Sequence, residues 1–292
     1  MKAVVITGVS TGIGEATAKL LARAEYHVFG SVRKKEDAGN LQDQLGDNFT
    51  SLIFDVTDET AVTAGAEIVK NSLGNNDQLV ALINNAAISV GGPILHIDIE
   101  SIRKVLEVNL IGVISVTKAF ASLLGAYKGA KNTGKIINLS SISGKFALPF
   151  MGPYTASKFA LEGLSDSLRR ELLLYGIDVI VVEPGPIKTP IWDKVPDIEN
   201  SSFRGTDYEL SLKEFYDKFV QDGKKGLAAD AVGKLIKTII EKKKVKTRYV
   251  ITKNKIFSYY MPTILPERSV DKRIAKLFRI QSLMEQGWNL GF

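Results

Sequence analysis

The chain has no cysteine, two histidines and two tryptophans among its 292 residues. Without thiols, disulfides, thiolate nucleophiles and cysteine zinc sites are excluded. His27 and His96 stand apart in the sequence, so no metal site is expected on them. No apolar run is long enough to span a bilayer. The first apolar run, residues 3–6, is too short for the apolar core of a signal peptide, and a cytoplasmic protein is expected. Charge of one sign is not concentrated either. The formal net charge of +6 is spread without a dominant basic block in the body of the chain. Such an excess suits an anionic cofactor or a membrane surface and is too diffuse for nucleic acid.

What is present is an ordered alternation of short apolar runs and amphipathic segments. Ala3, Val4, Val5 and Ile6 read as a buried strand. The stretch Thr7-Gly8-Val9-Ser10-Thr11-Gly12-Ile13-Gly14 follows, and residues 16–24 have helical apolar spacing. A strand, a glycine-rich turn and a helix start make a phosphate cradle, because glycines admit a close ligand and the helix N-terminus presents free N–H groups. Further strands are expected at residues 27–32, 51–54, 79–83, 135–139, 177–182 and 247–252. One long helix is expected over 101–124, with Asn109 inside it. An asparagine mid-helix is unfavourable by propensity and suggests a buried hydrogen-bonding duty. The pattern predicts an α/β fold with one doubly wound parallel sheet of about seven strands. The expected division is a dinucleotide-binding and catalytic domain over residues 1–254 and a C-terminal extension over 255–292.

Several strand ends carry cofactor chemistry. After the second strand comes Arg33, with no acid before Glu36. An acid at this point takes a ribose 2′-hydroxyl, whereas an arginine accommodates a 2′-phosphate, so NADP(H) is preferred over NAD(H). Asp55, followed by Val56, could accept from an adenine amino group or could simply end the strand. Asn84 and Asn85 can tie strands through their amides, and the small Ala86 and Ala87 leave room for a flat ring. Ser140 and Ser141 stand at the end of the fifth strand, the edge where open parallel sheets bind ligands.

Tyr154 and Lys158 lie one helical turn apart and so share a face. A free phenol has a pKa of ~10 and is a poor base near neutrality. A neighbouring ammonium favours the phenolate, and lowering the phenol by ~2 units takes about 2.7 kcal/mol. The pair could then exchange a proton with a substrate oxygen.

Together these residues resemble the short-chain dehydrogenase/reductase family over roughly the first 250 positions. The matching elements are Thr7-Gly8 with Gly12-Ile13-Gly14, Asn84-Asn85-Ala86-Ala87, Asn109, Ser141, Tyr154 with Lys158, and Pro184-Gly185 with Thr189. Ala87 stands where the family usually has glycine. The resemblance implies that Tyr154 is the general acid or base, that Lys158 lowers its pKa and holds the nicotinamide ribose, and that Ser141 binds the substrate oxygen. It implies a water held by Asn109 that links Lys158 to solvent, and a carboxamide held by Thr189 and the Ile187 backbone. It also implies cofactor contacts from Gly8, Ser10, Thr11, Gly12, Ile13, Gly14, Arg33, Asp55, Val56, Asn85, Ala86, Ala87, Pro184 and Gly185. A homodimer or homotetramer is expected from the same likeness.

Substrate choice is expected in the variable loops. Phe146, Leu148, Phe150, Met151, Ile191 and Trp192 would either wall an apolar site for a lipid-, steroid- or retinoid-like carbonyl or pack under a lid. In the extension, Val270, Ile274, Leu277, Phe278 and Met284 form a helical stripe with Lys272, Arg273, Lys276 and Arg279 largely off it. Such a helix rests on an anionic membrane or packs on its own protein. Two rival functions remain: an NADP(H)-binding sensor without chemistry, and a nucleotide-sugar epimerase or dehydratase.

Overall fold

The computed structural model describes residues 1–194 and 201–280. Seven strands form one parallel sheet: β1 (Lys2–Ile6), β2 (His27–Val32), β3 (Phe49–Ile53), β4 (Gln78–Asn84), β5 (Lys135–Leu139), β6 (Asp178–Pro184) and β9 (Arg248–Ile251). Their order is β3-β2-β1-β4-β5-β6-β9. The chain therefore reverses its winding between β1 and β4, and a crevice opens there at the C-terminal edge. Two short strands, β7 (Ile187–Lys188) and β8 (Leu227–Ala228), pair outside the main sheet.

Helices cover both faces because the strands are apolar on both. On one face lie α1 (Gly12–Arg23), α2 (Lys35–Leu45) and α8 (Ala229–Glu241), with Leu21, Val232 and Ile236 buried against Val4, Ile6 and Val28. On the other lie α3 (Glu59–Ser72), α4 (Ile99–Leu106), α5 (Gly112–Phe120) and α6 (Gly152–Glu171), with Val62, Val116 and Phe120 buried against Val5, Phe29 and Leu82. Asp58 caps α3 by accepting from Ala61 N at 3.0 Å.

The long helix expected over 101–124 is interrupted. Residues Glu107–Ile111 form a π-helical turn between α4 and α5, and Asn109 sits within it. The wider turn carries an asparagine that an α-helix disfavours. The third strand starts at Phe49, two residues before the expected position.

Beyond the sheet, α7 (Glu209–Lys224) and the end of α10 (Glu267–Leu277) border a third apolar cluster, while α9 (Met261–Ile264) precedes α10 in the chain. Phe150, Met151, Phe203, Leu212, Phe215, Tyr216 and Phe278 are buried in it. The expected C-terminal stripe is largely spent here. Val270 and Phe278 are buried and Ile274 packs on the cluster, while Leu277 is exposed. Met284 lies outside the described residues. Val270, Ile274 and Phe278 of the stripe thus pack on their own protein.

Candidate active site

The glycine turn between β1 and α1 is built on backbone contacts that leave no room for side chains. Gly8 and Gly12 have φ of 70° and 67°, the left-handed region that glycine adopts without strain. A Cβ on Gly14 would lie 2.2 Å from the Gly8 carbonyl oxygen and 2.5 Å from Asn85 Nδ2. Asn85 spends both amide donors on the turn, to the Thr7 and Gly8 carbonyls at 2.9 Å each. Thr7 Oγ1 accepts from Asn85 N and Ala86 N at 3.0 Å. Asn85 therefore locks β4 to the turn. Ser31 ties β2 in as well, its hydroxyl accepting from Gly8 N at 3.1 Å. Thr11 is the N-cap of α1 and makes no side-chain cap bond, while Ser10 and Thr11 are exposed and Ile13 half-buried.

Those residues fit a dinucleotide. The turn offers a helix N-terminus to phosphate, and Arg33 stands exposed just past β2. Opposite, Thr189 Cγ2 lies 3.3 Å from where a Gly12 Cβ would be, so the loop after β6 meets the glycine turn across the crevice. Gly185 N donates to the Ile251 carbonyl at 2.9 Å. A Cβ on Gly185 would meet Thr252 Oγ1 at 2.5 Å. Pro184 is buried, and so is Ile187. The Ile187 carbonyl accepts from Trp192 Nε1 at 2.6 Å, which directs that oxygen to the loop itself.

Two other cofactor candidates carry local duties. Asp55 Oδ1 accepts from Thr57 N at 3.0 Å and from Thr57 Oγ1 at 2.9 Å, so it shapes the turn after β3. Val56 is buried in the core. Ala86 packs on Gly8 and Ala87 is exposed at the end of β4.

The proton-handling groups gather at the same edge. Pro153 opens α6, a position where its missing N–H costs nothing. Tyr154 follows, half-buried, with Lys158 one turn on and buried. The Ser141 hydroxyl donates to the Pro184 carbonyl at 3.5 Å and lies close enough to Tyr154 to favour its phenolate. Ser141 Oγ also accepts from Ser143 N at 3.0 Å. Its neighbour Ser140 has a buried hydroxyl with no partner among the described residues. That hydroxyl lies 2.8 Å from where a Gly144 Cβ would be. Of the two serines, Ser141 is the one that acts on the phenol.

Asn109 braces this region. Its Oδ1 accepts from Ile88 N at 2.8 Å. Its amide donates to the Ile88 carbonyl at 2.9 Å and to Ser157 Oγ at 3.0 Å. Ser157 in turn donates to the Tyr154 carbonyl at 2.7 Å. A second polar ladder runs beneath. Asn84 Nδ2 donates to Asn138 Oδ1 at 2.9 Å and to Thr117 Oγ1 at 3.2 Å, and Asn138 Nδ2 donates to Ser165 Oγ at 2.9 Å. The strand ties expected of these asparagines are thus made, by Asn84.

The expected acidification of the phenol by Lys158 is not what the geometry shows. Lys158 Nζ lies 5.6 Å from the Tyr154 ring centroid and donates to the Leu139 carbonyl at 2.8 Å. Burial raises the Tyr154 pKa, and the Ser141 hydrogen bond opposes it. Burial lowers Lys158 to about 8, against the pull of the Glu162 carboxylate. Desolvation outweighs the opposing hydroxyl at Tyr154 and the opposing carboxylate at Lys158.

Sequence reasoning missed what lies behind Lys158. Glu162, one turn further along α6, accepts from Arg248 Nε at 2.9 Å and pairs with Lys145 at 3.3 Å. Asp166 pairs with Arg248 Nη2 at 3.0 Å. Glu183, fully buried in β6, accepts from the Tyr259 hydroxyl at 3.2 and 3.3 Å. Burial, and then the Glu162 charge, push Glu183 up to about 7. A carboxylate in the run Val181-Val182-Glu183-Pro184 was the available signal, since such a position in a buried strand is rarely ionised without a partner.

The apolar groups expected near the substrate divide. Phe150 and Met151 are buried, with Leu148 and Tyr154 packed on the same cluster. Phe150 takes φ of 64°, a costly conformation for a bulky residue, and its carbonyl accepts from Gly92 N at 2.8 Å. Trp192 packs edge-on against Phe219, ring centroids 5.0 Å apart, whereas Ile191 is exposed. Tyr216 was not foreseen. Its hydroxyl is buried without a partner among the described residues, 3.4 Å from where a Gly91 Cβ would be.

Comparison with known proteins agrees with this geometry. The profile described as short chain dehydrogenase matches residues 2–200. An NADPH-dependent 3-dehydrocapnine reductase from Ornithobacterium rhinotracheale is 42% identical over 275 residues, covering 93% of this chain and 95% of that protein. A 17-beta-hydroxysteroid dehydrogenase type 6 from Bos taurus is 35% identical over 232 residues, or 77% of this chain and 71% of that protein. Among solved structures, a short-chain dehydrogenase from Streptomyces avermitilis superposes with a TM-score of 0.75 at 22% identity, covering 96% and 97% of the two chains. That last likeness speaks for the fold. With the family profile over most of the chain and a relative matched along nearly its whole length, the protein belongs to the short-chain dehydrogenase/reductase family of hydride-transfer oxidoreductases.

Proposed function

We propose that this protein interconverts a carbonyl and its alcohol with NADP(H), on an apolar lipid-, steroid- or retinoid-like substrate. One observation carries the reading. Tyr154, with Ser141 near enough to favour its phenolate and Lys158 one turn on, stands at the crevice edge beside an aromatic cluster. The relative that is 42% identical bears the name of an NADPH-dependent reductase, and Arg33 past β2 suits a 2′-phosphate.

In this reading Ser141 holds the substrate oxygen, and Tyr154 gives that oxygen its proton as the carbonyl is reduced. Lys158, an ammonium below about pH 8, stabilises the phenolate that remains. Gly8, Gly12 and Gly14 would hold the phosphates, and Thr189 the carboxamide. Bound NADPH supplies the hydride. Asn109 keeps the first turn of α6 in register through Ser157. Exposed Ile99, Ile111 and Phe159 on α4, the π turn and α6 suit contact with a second copy, which supports a homodimer or homotetramer.

NADPH consumption is the test, with 3-dehydrocapnine first and then ketosteroids, retinal and 3-oxoacyl compounds, and Tyr154→Phe as control. Turnover that vanishes in the variant supports the reading. NADPH binding without turnover of any carbonyl favours the sensor. Nucleotide-sugar conversion without net cofactor consumption favours the epimerase.

A further inference from the structure

After β9 the chain turns outward and displays a run of large apolar side chains. Ile256, Phe257, Tyr260 and Ile264 are 63%, 64%, 48% and 77% exposed. Scattered exposed apolar residues need no explanation, whereas four within nine positions do. The run is helical, a π turn over Ile256–Tyr260 followed by α9. Spacing of one, four and eight residues places all four side chains within about 100° of one helical face.

A buried anchor decides which face is outward. Tyr259 turns in and donates to Glu183 at 3.2 and 3.3 Å. Ser258 Oγ lies 3.3 Å from Thr252 Oγ1. With that side fixed to β6 and β9, the apolar face is held out toward solvent.

The flanks are basic. Between residues 253 and 279 the chain has seven Lys or Arg and two Asp or Glu. Lys253 and Lys255 precede the run, and Arg268, Lys272, Arg273 and Lys276 follow it, all exposed. A second copy docked on this face by two-fold symmetry would set these cations against themselves. An anionic surface with an apolar interior answers both features.

We propose that residues 253–264 are the docking face of this protein for an anionic phospholipid bilayer. Ile256, Phe257, Tyr260 and Ile264 enter the acyl boundary, and Lys253, Lys255 and the cations of α10 meet the headgroups. This face differs from the α10 stripe that the sequence suggested, of which Ile274 and Phe278 pack on the third cluster. It leaves the sheet beside the crevice, since Gly185 N bonds the Ile251 carbonyl and Thr252 sits against Gly185. Delivery of an apolar substrate from the bilayer rests on the proposed reaction, but the docking does not.

Co-sedimentation with vesicles tests it without any activity measurement. Full-length protein is mixed with vesicles of phosphatidylcholine alone, or of phosphatidylcholine with phosphatidylglycerol. It is expected to pellet with the mixed vesicles, and to pellet less as salt screens the headgroups. The triple variant Ile256→Ser, Phe257→Ser, Ile264→Ser should lose about tenfold in vesicle affinity. The three side chains are exposed, so an unchanged melting temperature certifies the fold. Lys255→Glu should weaken binding to the mixed vesicles as well. Wild type left in the supernatant with both vesicle types overturns the proposal. So does a wild-type dimer in light scattering that the triple variant dissolves, because the face is then a self-contact.

Discussion

The two sides of the crevice are built by different means. On the cofactor side, backbone meets backbone. Ala86 Cα lies 3.0 Å from where a Gly8 Cβ would be, and Gly14 has 2.2 Å to the Gly8 carbonyl oxygen. On the substrate side, side chain meets side chain. Phe150, Phe215 and Phe278 meet through ring contacts with centroids 5.2 and 5.5 Å apart, and the hydroxyls of Ser211 and Tyr216 have no partner among the described residues. A site made of backbone tolerates almost no change of residue type, whereas a site made of side chains can repack. One half is therefore fixed in shape, and the other can be retuned.

The comparison can be broken or sharpened by substitution, from the largest expected effect down. Tyr154→Phe should lower kcat by about 10²–10⁴-fold with NADPH affinity unchanged. An unchanged kcat would remove the phenol from the chemistry.

Gly14→Ala comes next. Its Cβ would overlap the Gly8 carbonyl and Asn85, so thermal melts should show a loss of about 1–3 kcal/mol together with loss of NADPH binding. Gly163→Ala, where nothing lies within 4 Å, is the matched control and should gain up to about 1 kcal/mol as a helix-interior alanine. Similar losses at both positions would end the claim that the turn has no slack.

Arg33→Ala should weaken NADPH by about 10-fold or more while sparing NADH, since a charge-assisted hydrogen bond contributes about 1.5–3 kcal/mol. Equal losses for both cofactors, measured by fluorescence titration, would refute the 2′-phosphate assignment.

Glu183 gives a pH signature. In the native chain it titrates at about 7, against an ordinary value of 4.5. Between these values unfolding releases a proton, so stability falls as pH rises from about 4.5 to about 7. Glu183→Gln should flatten that slope in chemical denaturation, and an unaltered slope would mean that the carboxyl is ionised throughout.

Tyr216→Phe is the smallest and the most telling for the substrate side. Removing an unpartnered buried hydroxyl should raise stability by about 1 kcal/mol, and a simultaneous rise in KM would show that the hydroxyl meets substrate. Greater stability with KM unchanged would make Tyr216 ordinary packing.

The legible parts were those tied to local geometry. The strand–turn–helix at Thr7–Gly14 could be read because only glycine fits its backbone angles. The tyrosine and lysine could be read because helical spacing alone puts them on one face. The α10 stripe was equally legible as a helix, but its spacing held no information about what would cover it, and the third cluster did. The sign of the Tyr154 shift was illegible for a related reason. It depends on how much water the phenol loses, and burial is a property of the whole packing.

By itself the sequence determined the parallel α/β sheet, the glycine turn and the helix that carries Tyr154 and Lys158, since each follows from residue type and spacing within one element. Only the tertiary structure decided that burial raises the pKa of Tyr154 and lowers that of Lys158. It also decided that Glu162 and Glu183 lie behind the lysine and that the apolar face after β9 points outward. Those outcomes depend on which atoms are brought together from distant positions, and on how much solvent each loses when they meet.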